Sequence, residues 1–155
     1  MVRRLLRQRL TSTDFSQGAV VNRTFPWPEY NDIRERTMAL AAPLSDEDCC
    51  VQSMPVASPV KWHLAHTTWF FETFVLERYE ASFKPFHEAF RVLFNSYYNA
   101  IGDKHPRPRR GLLTRPALPV VADYRRHVDA RMRRLLDRPP PDDALRPLVV
   151  LGLNH

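Results

Sequence analysis

The chain has 155 residues, enough for one domain with a real core, and 44% of them are apolar, with nine Phe and three Trp. That composition excludes disorder throughout, and no apolar run approaches the ~18 residues of a membrane span. The net charge of +6 rests on 20 Arg against 3 Lys, but the arginines are scattered and no nucleic-acid motif accompanies them, so most read as a solvated surface.

The opening "MVRRLLRQRL" is basic but lacks the apolar stretch and cleavage site of a secretory signal. Cys49 and Cys50 are adjacent, too close for an unstrained bridge, and read as free thiols of a cytoplasmic protein. Residues 1 to 24 show no steady period and are expected to form a mobile arm. In "WPEYNDIRERTMALAAPL", Ile33, Thr37, Leu40 and Leu44 share one helical face. Asp32 and Glu35 resemble a capping box there, and Pro43 ends the helix. A loop follows. Ser58 as cap and Pro59 at the first helical position start a second helix, expected to reach about Arg78. Trp62, Ala65, His66, Trp69, Thr73 and Leu76 form its stripe, which turns His66 inward and leaves His63 at the edge.

The stretch "FKPFHEAFRVLFNSYYNAIGDKHPRPRRGLLTRPALP" is aromatic and broken by Pro and Gly. It is expected to be irregular apart from a short helix around 86 to 96, and so long a loop is more often functional than idle. Within it, Arg107, Arg109 and Arg110 cluster beside aromatic residues, and guanidinium forks suit carboxylates and phosphates. A third helix carries Val121, Tyr124, Val128, Met132 and Leu135 on one face. After "RPPPDD", Asp142 or Asp143 caps a fourth helix with Pro147 near its first turn; His155 follows Leu148 and Leu151 at helical spacing. That helix stops on an apolar face without a polar or Gly stop, and is expected to be truncated.

Helical phasing thus turns His66 and His155 inward from two different helices. Bundles build metal sites this way, although a catalytic metal usually keeps three protein ligands. Periodicity alone leaves two readings open: a metal site, or two packed and hydrogen-bonded neutral imidazoles.

"SMPVASPVKWHLAHTTWFFETFVLERY", "LFNSYYNAIGDKHPRPRRGLLTRP" and the closing "LGLNH" resemble the N-terminal DinB-like domain of ergothioneine-biosynthesis sulfoxide synthases, across roughly residues 30 to 155. The resemblance implies an all-α, DinB-like four-helix bundle over 25–155, its last helix truncated, with a long irregular loop between helices 2 and 3. It implies an iron(II) centre held by three histidines, which joins a thiol, γ-glutamylcysteine or cysteine, to hercynine using dioxygen. The family ligand in "LAH" matches His66. His155 matches the first histidine of the family's H-x-x-x-H on the last helix, whose second would lie beyond residue 155. Arginines spaced three apart hold the thiol substrate's carboxylate; Arg107 and Arg110 match, with Arg109 as the alternative register. His63 is not a ligand in the family. A formylglycine-generating-enzyme-like domain that supplies most of the hercynine pocket and a catalytic tyrosine is absent, so the chain alone is not expected to make the sulfoxide. The alternatives are another DinB-like metal-dependent thiol transferase and a non-enzymatic bundle; the "NSYYNAIGDKHPRPRRG" loop speaks against the transferase. No nucleic-acid or membrane partner is expected.

Overall fold

The computed structural model describes residues 27–96 and 98–155. Six α-helices appear among them and no strand: α1 (Trp27–Ala41), α2 (Val60–Phe70), α3 (Glu77–Tyr79), α4 (Phe90–Leu93), α5 (Leu118–Asp137) and α6 (Leu145–Leu153). The expected all-α bundle is therefore present, and the expected arm over residues 1 to 24 lies outside the described residues.

α2 and α3 belong to one rod, joined by a π-helical stretch, Phe71–Leu76. The extra residue per turn rotates the buried face. Upstream the core takes Trp62, Ala65, His66 and Trp69 as the stripe requires; beyond it takes Phe71, Glu72, Val75 and Leu76, and Thr73 is only half-buried. The rod starts at Val60 with Pro59 before it, and Ser58 does not cap it. The Ser58 hydroxyl instead accepts a bond from Arg110 Nη1 at 2.8 Å. α5 crosses the rod most extensively and buries Val121, Tyr124, Val128 and Met132 completely; Leu136 is buried where Leu135 was expected, and Leu135 is half-buried.

α1 packs with the opposite face from the one its apolar spacing predicts. Ile33, Leu40 and Leu44 are exposed, Leu40 by 81%, and the helix turns Tyr30 and Arg34 inward. The reason is a polar network. The Tyr30 hydroxyl donates to Asp129 Oδ1 at 2.6 Å, and Arg34 Nε donates to the same oxygen at 2.8 Å. Arg34 Nη2 donates to Thr68 Oγ1 at 2.7 Å. Arg125 completes the cluster by donating to the Leu64 carbonyl at 3.0 Å and the Arg34 carbonyl at 3.3 Å. Four partners for buried cations outweigh a few methyl groups, because an unpaired buried charge costs more than an exposed Leu loses. The expected Asp32–Glu35 capping box is absent as well: α1 begins at Trp27, and Glu35 accepts from Asn31 Nδ2 at 2.7 Å.

α6 lies against the π-helical stretch, and Gly152 permits the approach: a Cβ there would meet the Phe71 and Phe70 rings at 2.6 and 2.7 Å. Leu145, Val149 and Gly152 form its buried face, whereas Leu151 points to solvent, so the expected Leu148–Leu151 face is rotated. The expected aspartate cap is absent: Ala144 occupies the capping position without a side-chain bond, and Asp142 accepts from the Ala144 N–H at 2.8 Å just before the helix.

The long connection from α3 to α5 is held by side chains that bond to backbone. Asn95 Nδ2 donates to the Tyr98, Gly102 and Asp103 carbonyls at 3.1–3.2 Å. Gln52 donates to the Ala57 and Arg107 carbonyls at 2.9 and 2.8 Å, and accepts from the Gly111 N–H at 2.6 Å. Lys61 Nζ reaches the Leu113 carbonyl at 2.9 Å. These bonds satisfy the loop's backbone where no regular structure does.

Asp129 is the carboxylate that Arg34 and Tyr30 share in the α1–α2–α5 polar cluster, so Asp129→Ala leaves Arg34 and Arg125 buried without it as counter-charge. Urea unfolding should show a loss of about 2–4 kcal/mol. Asp123→Ala, which breaks an exposed pair with Arg126, should cost under ~1 kcal/mol.

Candidate metal centre

His66 sits in α2 between two tryptophans placed by helical spacing. Its ring stacks on Trp62 at 4.5 Å and 20°, and on Trp69 at 5.6 Å and 17°. Nδ1 faces the Phe94 carbonyl at 2.6 Å, and Trp62 Nε1 donates to the neighbouring Leu93 carbonyl at 3.0 Å. These are carbonyls at the C-terminal end of α4, where a helix has no partners of its own. α2 therefore satisfies the end of α4, and α4 in return fixes the imidazole. A carbonyl only accepts, so His66 Nδ1 carries the proton and Nε2 presents its lone pair.

That lone pair faces His155. The two Nε2 atoms are 2.9 Å apart and the ring centroids 4.9 Å. His155 lies past the last residue of α6, in a turn whose N–H reaches the Gly152 carbonyl at 3.4 Å. Its ring rests 5.1 Å from Phe70 and 5.9 Å from Tyr98. The two histidines singled out in the sequence are thus brought together across 89 residues.

Burial, above all, holds His66 down to about 4, against a bond to the Phe94 carbonyl that pulls it upward; His155 and Arg110 push it further down. Burial also lowers His155. Both imidazoles are therefore neutral near pH 7, the form that ligates metals. Two nitrogens 2.9 Å apart match two cis positions on one cation at ~2.1 Å bonds. The tie from His66 to a carbonyl is the outer-shell arrangement common to ligating histidines. Among the described residues, no group of three or more His, Cys, Asp and Glu could hold an ion, so the pair is a two-ligand platform.

The three arginines separate. All lie in a 3₁₀ segment, Arg107–Leu112. Arg110 is buried, its guanidinium 3.4 Å from the Trp62 ring centroid, and its Nη2 donates to Ser96 Oγ at 3.2 Å in addition to the Ser58 bond. It thus reaches the site through the tryptophan that stacks on His66. Its Nε is buried with no partner. Arg107 is half-buried and its Nη1 lies 3.4 Å from the Val56 carbonyl. Arg109 is exposed; its carbonyl accepts from His105 Nε2 at 3.0 Å. His63 is exposed and meets Trp62 edge-on.

Sequence reasoning missed Tyr98, whose hydroxyl lies 3.4 Å from His155 Nδ1, and the serines that hold Arg110. Only the tryptophans left a signal, four residues before and three after His66.

A helical bundle that offers two oriented, neutral imidazoles from facing segments is the architecture of a metal-binding fold. A family model agrees: the DinB superfamily model matches residues 29–152, and the chain belongs to that superfamily, a family of metal-binding proteins. The match includes His66 and stops three residues before His155. No curated protein matches the chain. No helix among the described residues is long and apolar enough to cross a membrane.

The His66 environment sets a pH dependence. Between about 4 and its ordinary value of 6.5 the unfolded chain holds the proton more tightly. Stability from the neutral ring is complete above pH 6.5 and declines as the pH drops toward 4. Metal-free protein should lose on the order of 2–3 kcal/mol over that interval, and His66→Phe should flatten the slope relative to wild type in urea titrations at each pH.

Proposed function

We propose that the chain is the metal-holding bundle of a non-haem iron(II) sulfoxide synthase, which joins a thiol, γ-glutamylcysteine or cysteine, to hercynine with dioxygen. The observation that carries the reading is the pair of Nε2 atoms at 2.9 Å, with an arginine stacked one ring away. His66 and His155 would hold iron(II), and a third donor would come from outside the described residues. Bound iron supplies the one-electron chemistry with dioxygen that oxidative carbon–sulfur bond formation requires.

The chain's own residues bind and orient. Arg110 spends two of its five N–H groups on Ser58 and Ser96, which leaves the others, including the orphan Nε, for a carboxylate. Arg107, one turn of the segment away, would close the other side of that carboxylate. A carboxylate held there would place its thiol toward the histidine pair, and positioning of this kind contributes up to ~7–11 kcal/mol to a barrier. Trp62 and Trp69 exclude water from the His66 flank.

Calorimetry on anaerobic Fe(II)-loaded protein tests the clamp. Cysteine and γ-glutamylcysteine should bind at least ~10-fold tighter than cysteamine, which lacks the carboxylate. Arg107→Leu with Arg110→Leu should erase that preference. Equal binding of all three thiols to the wild type would remove the clamp and favour a plain thiol transferase or a binding module.

A further inference from the structure

The hydrogen bonds around the histidine pair can run in only one direction when no cation is bound. The Phe94 carbonyl cannot donate, so His66 Nδ1–H donates to it and His66 Nε2 is a bare acceptor. His155 Nε2, 2.9 Å away, must then donate, because two bare lone pairs at that distance repel. A neutral His155 that carries its proton on Nε2 has a bare Nδ1. The group facing Nδ1 is the Tyr98 hydroxyl at 3.4 Å, which therefore donates. The relay runs from Tyr98 through His155 and His66 to the Phe94 carbonyl.

A cation on the pair cannot coexist with that order, since the proton on His155 Nε2 occupies the ligand position. No new residue is needed to resolve this. The Nε2 proton leaves to solvent as the cation binds and Nδ1 takes one from solvent, so charge and proton count on the ring are unchanged overall. The Tyr98 hydroxyl rotates and accepts from Nδ1–H. A hydroxyl can serve in both states without moving its heavy atom, because it donates and accepts through the same oxygen.

We infer that Tyr98 is the positioning residue of His155, donating to its Nδ1 in the metal-free chain and accepting from it when a divalent cation binds. The inference rests on the metal reading for its second half alone; the direction of the metal-free relay stands on geometry. Tyr98 is well placed for the role. Its ring is held by Phe74 at 4.9 Å and Trp69 at 5.6 Å, so the hydroxyl stays near His155 in either state. Its backbone carbonyl is tied to Asn95.

The test uses the whole chain with ¹⁵N-labelled histidine and Zn(II), which is diamagnetic. In the metal-free protein, ¹⁵N shifts should place the proton on Nδ1 of His66 and on Nε2 of His155. Saturating Zn(II) should move the His155 proton to Nδ1 and leave the tautomer of His66 unchanged. Tyr98→Phe keeps the ring and removes the hydroxyl. It should weaken Zn(II) about 10-fold by competition with a chelating dye, with the urea midpoint close to wild type. A metal-free His155 that carries its proton on Nδ1 overturns the relay. Unchanged affinity in Tyr98→Phe overturns the positioning role while the metal reading survives. Zn(II) that perturbs neither His66 nor His155 overturns the metal reading and the switch together, while the metal-free tautomers still decide the relay.

Discussion

The site depends on one hydrogen bond, from His66 Nδ1 to the Phe94 carbonyl at 2.6 Å. It fixes the tautomer of a buried ring and aims a bare nitrogen out of the α2 stack before anything binds. Without it the imidazole could flip its proton to Nε2 and satisfy His155 from the wrong side. The bond exists because α4 ends at Phe94 with carbonyls to spare, and the Leu93 carbonyl next to it anchors Trp62 in the same way. Site geometry and helix termination are therefore the same event.

A second constraint holds the frame still. Arg34 and Arg125 are buried cations in a network drawn from three helices: Asp129 on α5, which accepts from Arg34 and from Tyr30 on α1, and Thr68 on α2, which accepts from both arginines. Thr68 lies two residues from His66, so the network fixes the rod at His66. Gly152 does the same for the other histidine. The closeness it allows between α6 and the Phe70–Phe71 rings sets how near His155 comes. Burying charge for geometry costs stability that an apolar interface would not, a trade consistent with a site that must be rigid.

Much of this was legible in the sequence where one face of one helix decides. The stripe on α2 and the face of α5 follow from spacing of three and four; His155 lies past the end of α6, whose expected face is rotated, so its meeting with His66 owes nothing to that spacing. Legibility failed where polar partners overruled apolar ones. Ile33, Leu40 and Leu44 mark a regular face, yet Tyr30 and Arg34 go inward, because Asp129 lies 95 residues beyond Arg34 and no local period reveals it. The π-helical stretch was invisible for a related reason: an insertion in register shows only as a rotated burial pattern. Ser58 looks like a cap by every local rule, and it is claimed by Arg110, 52 residues on. The Tyr98 contact spans 57 residues within and beyond an irregular loop, where spacing carries no phase at all.

The central claim is that His66 and His155 ligate one ion together. X-ray absorption on Fe(II)-loaded protein counts imidazoles at the metal directly. The expected result is two imidazole nitrogens near ~2.1 Å in the wild type, falling to one in His66→Ala and to one in His155→Ala. A spectrum without imidazole scattering, or one that neither substitution alters, would contradict it.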